Sequence, residues 1–173
     1  MSIEKVKAGG VFTIQCFDKD GQLKWEDKTP NLVVNVGLKE MNEQFFKGSN
    51  YTAAWFLGLY GAALSNDPAA GDTMASHAGW TEVTDYSEAT RPAAVFGTPT
   101  TADPSVISNA GSIAVFSING TTTVGGAFLT SDDTKGGTTG VLFSAADFEA
   151  PGDRAVVSGD VINLTYQFSL DAA

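Results

Sequence analysis

Apolar and polar residues alternate through Phe12-Thr-Ile-Gln-Cys16, the two-residue period of a half-buried strand. Asp18-Lys-Asp-Gly21 follows, with a glycine free to take a positive φ, and Gln22-Leu-Lys-Trp-Glu26 alternates again. The pattern predicts a β-hairpin closed by a short glycine-ended loop. Beyond Thr29-Pro30 the period changes. Leu38, Met41 and Phe45 recur at helical spacing, Asn35 is placed to cap the run and Gly48 to end it. One short α-helix near residues 36–47 is predicted, with Leu38, Met41 and Phe45 or Phe46 on its buried face.

Ala53-Ala-Trp-Phe-Leu-Gly-Leu-Tyr60 is nearly all apolar, as a central strand buried on both faces would be. Ser65-Asn-Asp-Pro68 reads as a turn. Residues 69–81 are small and polar without a period, and this long loop holds Met74, His77 and Trp80. The second half is a series of strand-sized runs at 92–96, 113–118, 124–130, 141–143 and 161–170, separated by Gly, Thr, Ser and Asp. The last is the clearest: Ile162, Leu164, Tyr166, Phe168 and Leu170 share one face. It is entered through a turn at Val156–Asp160. Many short strands with frequent turns predict an all-β fold, a β-sandwich that is jelly-roll-like in preference to immunoglobulin-like. The expected organisation is an N-terminal arm over residues 1–9 and one sandwich domain over 10–173.

At 173 residues the chain suits one core, able to bury about 70% of its unfolded surface. No apolar run reaches the ~20 residues of a membrane-spanning helix, and the first residues lack the apolar stretch of a secretory signal. The lone Cys16 excludes an internal disulfide and, at an apolar strand position, reads as a core residue. The net charge of −10 opposes nucleic-acid binding. Basic residues are nevertheless concentrated early: Lys5, Lys7, Lys19, Lys24, Lys28, Lys39 and Lys47 precede residue 48, and only Arg91, Lys135 and Arg154 follow. Either these lysines solvate a hairpin and a helix, or they dock on an acidic neighbour.

Candidate chemistry is sparse. His77 is the only histidine, and no nucleophile elbow accompanies it. Glu82, Asp85 and Glu88, and Asp132-Asp133, are carboxylates that a glycosidase pair or a calcium loop would need, but turn acids explain them as well. Asp18-Lys-Asp-Gly21 begins like a calcium loop and lacks its later ligands. Gly125-Gly126 and Gly136 to Gly140 match neither a P-loop nor a dinucleotide fingerprint. Among Trp25, Trp55, Trp80, Tyr51, Tyr60 and Tyr86, Trp80 is the residue to test as a sugar-stacking platform, and Trp55 is expected in the core. No catalytic, metal or cofactor-binding residue is assigned, and no cofactor is expected.

Three stretches carry a resemblance: Thr73-Met-Ala-Ser-His-Ala-Gly-Trp-Thr-Glu82 continuing through Tyr86-Ser-Glu-Ala-Thr-Arg91-Pro92, Gly126-Ala-Phe-Leu-Thr-Ser-Asp-Asp-Thr-Lys-Gly-Gly-Thr-Thr-Gly140, and Val156-Val-Ser-Gly-Asp-Val-Ile162. With Asn31-Leu-Val-Val-Asn-Val-Gly37 and Ala54-Trp-Phe-Leu-Gly58, they resemble a family of small virion structural proteins of tailed bacteriophages. The resemblance implies a non-enzymatic capsid decoration or cement protein on the head exterior, a homo-oligomer whose partner is the major capsid protein. It brings no catalytic residues, and neither nucleic acid nor membrane is expected as a partner. The alternative is a tail- or fibre-associated module that binds a host surface glycan. Interface candidates are Lys5, Lys7, Met74, His77, Trp80 and Arg91, with Arg91 expected to pair with Glu82 or Asp85 and Trp80 to cap the core.

Overall fold

Alternation decides the first hairpin. In the computed structural model, which describes residues 5–48, 54–61, 67–148 and 152–172, β1 (Val6–Phe17) turns through Gly21 at φ 76° into β2 (Leu23–Pro30). Phe12, Ile14 and Cys16 are fully buried on the inward side of β1. The strand starts at Val6, paired with Ala172, so residues 6–9 belong to the sheet and not to an arm; residues 1–4 lie outside the described part. The backbone hydrogen bonds available along β11 (Val161–Ala172) draw the first strand in.

Two antiparallel sheets make an all-β sandwich. The remaining strands are β3 (Leu32–Val33), β4 (Phe56–Gly61), β5 (Glu82–Val83), β6 (Ser105–Ser108), β7 (Ala114–Ser117), β8 (Thr122–Thr130), β9 (Leu142–Asp147) and β10 (Arg154–Val156). One sheet runs β2-β1-β11-β6, with β7 also on β11; the other runs β3-β9-β8-β4-β5, with β10 also on β8. The first and last long strands are neighbours in one sheet. A constant-type immunoglobulin domain places its first and last strands in opposite sheets, and this strand order departs from that arrangement.

The main core lies between the sheets, from Phe12, Ile14, Ile162, Leu164 and Tyr166 on one side to Leu57, Leu59, Ala127 and Leu129 on the other. A second, smaller core of Val34, Tyr60, Met74, Trp80, Phe128, Leu142 and Ala145 is separate from it. The second sheet is therefore apolar on both faces, which is why β4 reads as a nearly unbroken apolar run. Gly58 faces Phe128 across the ladder, and a side chain there would occupy the space of the Phe128 ring.

The predicted short helix forms as α1 (Asn35–Asn42), continued by one π-helical turn over Glu43–Lys47, and several other expectations need correction. Asn35 is its first residue and not its cap: its N–H donates to the Ala70 carbonyl at 2.8 Å. Phe45 and Phe46 are 82% and 77% exposed, because the wider π turn rotates them off the face that Met41 occupies, and Leu38, in the regular helix before that turn, is exposed too. The run at 92–96 forms one bridge, Ala93 to Phe56, and the turn expected at Val156–Asp160 starts one residue inside β10. The turn at Ser65–Pro68 lies partly outside the described residues, as does Tyr51.

Candidate functional site

The loop over residues 69–81 carries its own fastenings. Trp80 is 2% exposed; it stacks on Tyr60 at 5.0 Å and leans on Phe128 at 5.2 Å. Its indole Nε1–H donates to Asp72 Oδ2 at 3.1 Å, and the Ala69 N–H donates to the same oxygen at 3.0 Å. Met74 fills the space beside them at 1% exposure. His77 lies flat on the indole at 3.9 Å, with Nδ1 2.9 Å from the Trp80 carbonyl oxygen. The loop is long and polar in sequence because its few apolar side chains are spent on a lid over the second core.

Arg91 is the hub of the next layer. It is almost completely buried and makes a two-pronged pair with Glu82: Nε donates to Oε1 at 2.9 Å and Nη2 to Oε2 at 2.7 Å. Nη1 donates to the Asp132 carbonyl and Nη2 to the Gly137 carbonyl, each at 2.8 Å. Glu82 Oε2 also accepts the Gly136 N–H at 2.9 Å. One guanidinium–carboxylate pair thus joins β5 to the glycine-rich loop at 131–140. Of the two partners expected for Arg91, the structure selects Glu82. Lys135 donates to the carbonyls of Tyr86 and Glu88 at 2.9 and 2.7 Å and lies 4.4 Å from the Tyr86 ring centre.

The interface candidates do not form one surface. Lys5 and Lys7 are exposed at the start of β1, in the opposite sheet from the one the 69–81 loop covers. Met74, Trp80 and Arg91 are interior, so they shape the surface above them without forming it; His77 alone of the loop set reaches solvent in part. An exposed sugar platform does not form on Trp80. Trp55 is half-buried beside the main core and not within it.

Several of the carboxylates are committed to donors within the fold. Glu88 accepts the Ser117 N–H, and Asp18 accepts the N–H groups of Asp20 and Gln22 in its own turn. Asp132 accepts from Thr134 N–H and Thr139 Oγ1, and those bonds, Thr134 first, hold its carboxyl below the usual range. Burial pushes the Cys16 thiol up to about 11, which keeps it protonated and unreactive. Among the described residues, no group of three or more His, Cys, Asp or Glu is arranged to hold a metal ion.

One titratable group escaped the sequence reading. Asp147, at the end of β9, has its pKa raised from 3.8 to about 6 by burial first, then by a hydrogen bond with Asp67 and the charges of Asp67 and Asp153. Its Oδ1 is buried without a hydrogen-bond partner. A carboxyl that holds its proton more tightly when folded stabilises the fold below its unfolded pKa, and that contribution is lost as pH rises through about 6. Asp147→Asn is therefore expected to raise Tm at pH 7 by about 2–4 °C, an effect on the order of 1 kcal/mol. The gain should shrink as pH falls toward 5. Thermal melts of both proteins across this range check it, and a gain independent of pH would show that repulsion at Asp147 is not its source.

No protein-family model, curated protein or solved structure matches the chain.

Proposed function

We propose that the chain is a non-enzymatic structural protein of a tailed-bacteriophage virion, seated on the capsid exterior as a decoration or cement protein. The observation that carries this reading is where the resembling stretches meet. Residues 73–92 and 126–140 are bonded to each other through Arg91, Glu82 and Lys135, inside the fold and not around a cleft. Their sequence signature is then the signature of a scaffold, and Glu82, Glu88, Arg91, Asp132 and Lys135 within them are spent on internal pairing. A charge of −10 disfavours a station against packed DNA and suits the outside of a shell.

The major capsid protein is the partner, and several copies of the chain acting together supply avidity from individually weak contacts. The exposed Lys5 and Lys7 supply the positive end of an otherwise acidic body. Lys5→Glu with Lys7→Glu is expected to weaken binding to heads lacking the protein about tenfold or more at low salt, with Tm unchanged. Co-sedimentation at increasing protein concentration measures it. Unchanged affinity would remove the N-terminal lysines from the contact, and failure of the wild-type chain to bind heads would remove the reading itself.

A further inference from the structure

Where α1 and its π turn approach the sheets, the sandwich opens into a cavity of about 430 Å³. Its wall is built from Trp55, Phe96, Ile107, Leu129, Phe143 and Phe168. Phe143 meets Trp55 and Phe168 edge to face, each at 5.4 Å, so the aromatic wall is held in place by its own contacts. Tyr166 adds a hydroxyl that is already engaged: Asn31 Nδ2 donates to it at 2.9 Å and Ser144 Oγ lies 3.3 Å away. The volume falls in the range of small-molecule sites, roughly 300–1,000 Å³.

The helix contributes the polar part. Glu40 is the one acidic residue in the lining, half-buried and without an ion pair among the described residues. It accepts the Gln44 Nε2–H at 2.6 Å. That bond fixes the Gln44 amide, and its Oε1 is buried with no hydrogen-bond partner. A negative charge therefore stands beside an apolar volume. An anionic amphipath would meet Glu40 on a chain that already carries −10; an ammonium pairs with Glu40.

We propose that this cavity binds an amphipathic primary amine, its apolar body between the sheets and its ammonium at Glu40. The π turn at Glu43–Lys47 carries Phe45 to the exposed rim of the space. The site is independent of the virion role.

Titration of the purified protein with alkylammonium chlorides below their micelle concentrations, read by calorimetry and tryptophan fluorescence, tests the proposal. One ligand per chain is expected. Affinity should rise about three- to fourfold per methylene from hexyl- to decylammonium, and decyl sulfate should bind at least about tenfold more weakly than decylammonium. Glu40→Gln should cut that preference to about threefold or less. Ile107→Trp, or Phe96→Trp if the first variant does not fold, should abolish binding by filling the cavity, which separates the site from loose attraction of cations to the acidic surface. No binding at about 1 mM decylammonium, equal binding of decyl sulfate, or undiminished binding in the filled variants would overturn the proposal. So would sedimentation showing that a second copy of the chain covers the cavity mouth.

Discussion

Arg91→Ala is expected to lower stability by about 3–5 kcal/mol, because it leaves Glu82 buried as an uncompensated charge and strips two carbonyls of their donor. At about 2–4 °C per kcal/mol for a chain of this size, Tm should fall by about 6–20 °C. Arg91→Lys should recover only part of this, since an ammonium does not reproduce two parallel bonds to one carboxylate. The pairing itself is isolated by a cycle. Arg91→Met with Glu82→Gln should be more stable than Arg91→Met alone by about 1–3 kcal/mol, because the orphaned charge is gone. Denaturant melts supply the values, and amide exchange should quicken first in the 131–140 loop that Arg91 holds. Equal stability of Arg91→Met with and without Glu82→Gln would mean that the carboxylate reaches water in the variant and the hub is not sealed.

Trp80→Ala is the second large effect, about 3–5 kcal/mol for removing a buried indole from the second core. The loss should spread along the lid, since Trp80 carries the ring of His77, the bond donated to Asp72 and the contacts to Tyr60 and Phe128. Trp80→Phe should cost about 1–2 kcal/mol, keeping a ring but leaving Asp72 without the indole donor. Limited proteolysis adds a positional readout: cleavage within residues 69–81 should appear in Trp80→Ala and not in Trp80→Phe. A Trp80→Ala protein with wild-type Tm would show that the lid is not a second core.

The sequence was informative wherever one residue type had one physical job. Gly21 marked the hairpin turn, the alternation from Ile162 to Phe168 marked an inward strand face, and Arg91 in an acidic neighbourhood marked a pair with Glu82. It misled where periodicity depended on a regular helix continuing. Leu38, Met41 and Phe45 share a face only at about 100° per residue, and the π turn from Glu43 breaks that spacing, closed by the Gly48 N–H reaching back to the Glu43 carbonyl at 3.2 Å. Short strands such as β6 (Ser105–Ser108) were invisible because four half-buried residues give no period. Asp147 was invisible for another reason: its hydrogen-bonded neighbour Asp67 comes from a distant part of the chain, and only the fold brings the two together. The cavity belongs to the same class, assembled from the helix, several strands of both sheets and the Phe96 segment.

The candidate site repeats that division. The stretches that make the chain resemble virion proteins were legible as text, yet Met74, Trp80 and Arg91, singled out as contact residues, are interior. Residue type alone gives a tryptophan or an arginine in a polar loop no direction; burial follows from the apolar face that β4 and β8 present to the loop. What remains on the outside is mostly acidic, and that is the surface a neighbour would meet.

The central claim is that the molecule acts by seating its folded sheets against a viral shell, with no bond-making centre of its own. Imaging virions by cryo-electron microscopy at a resolution that identifies side chains tests this most directly. The account predicts density for this sandwich repeated at equivalent positions over the outer face of the head, following the shell's symmetry. Density confined to a single ring at the neck or tail, or particles in which the sandwich is absent altogether, would contradict it.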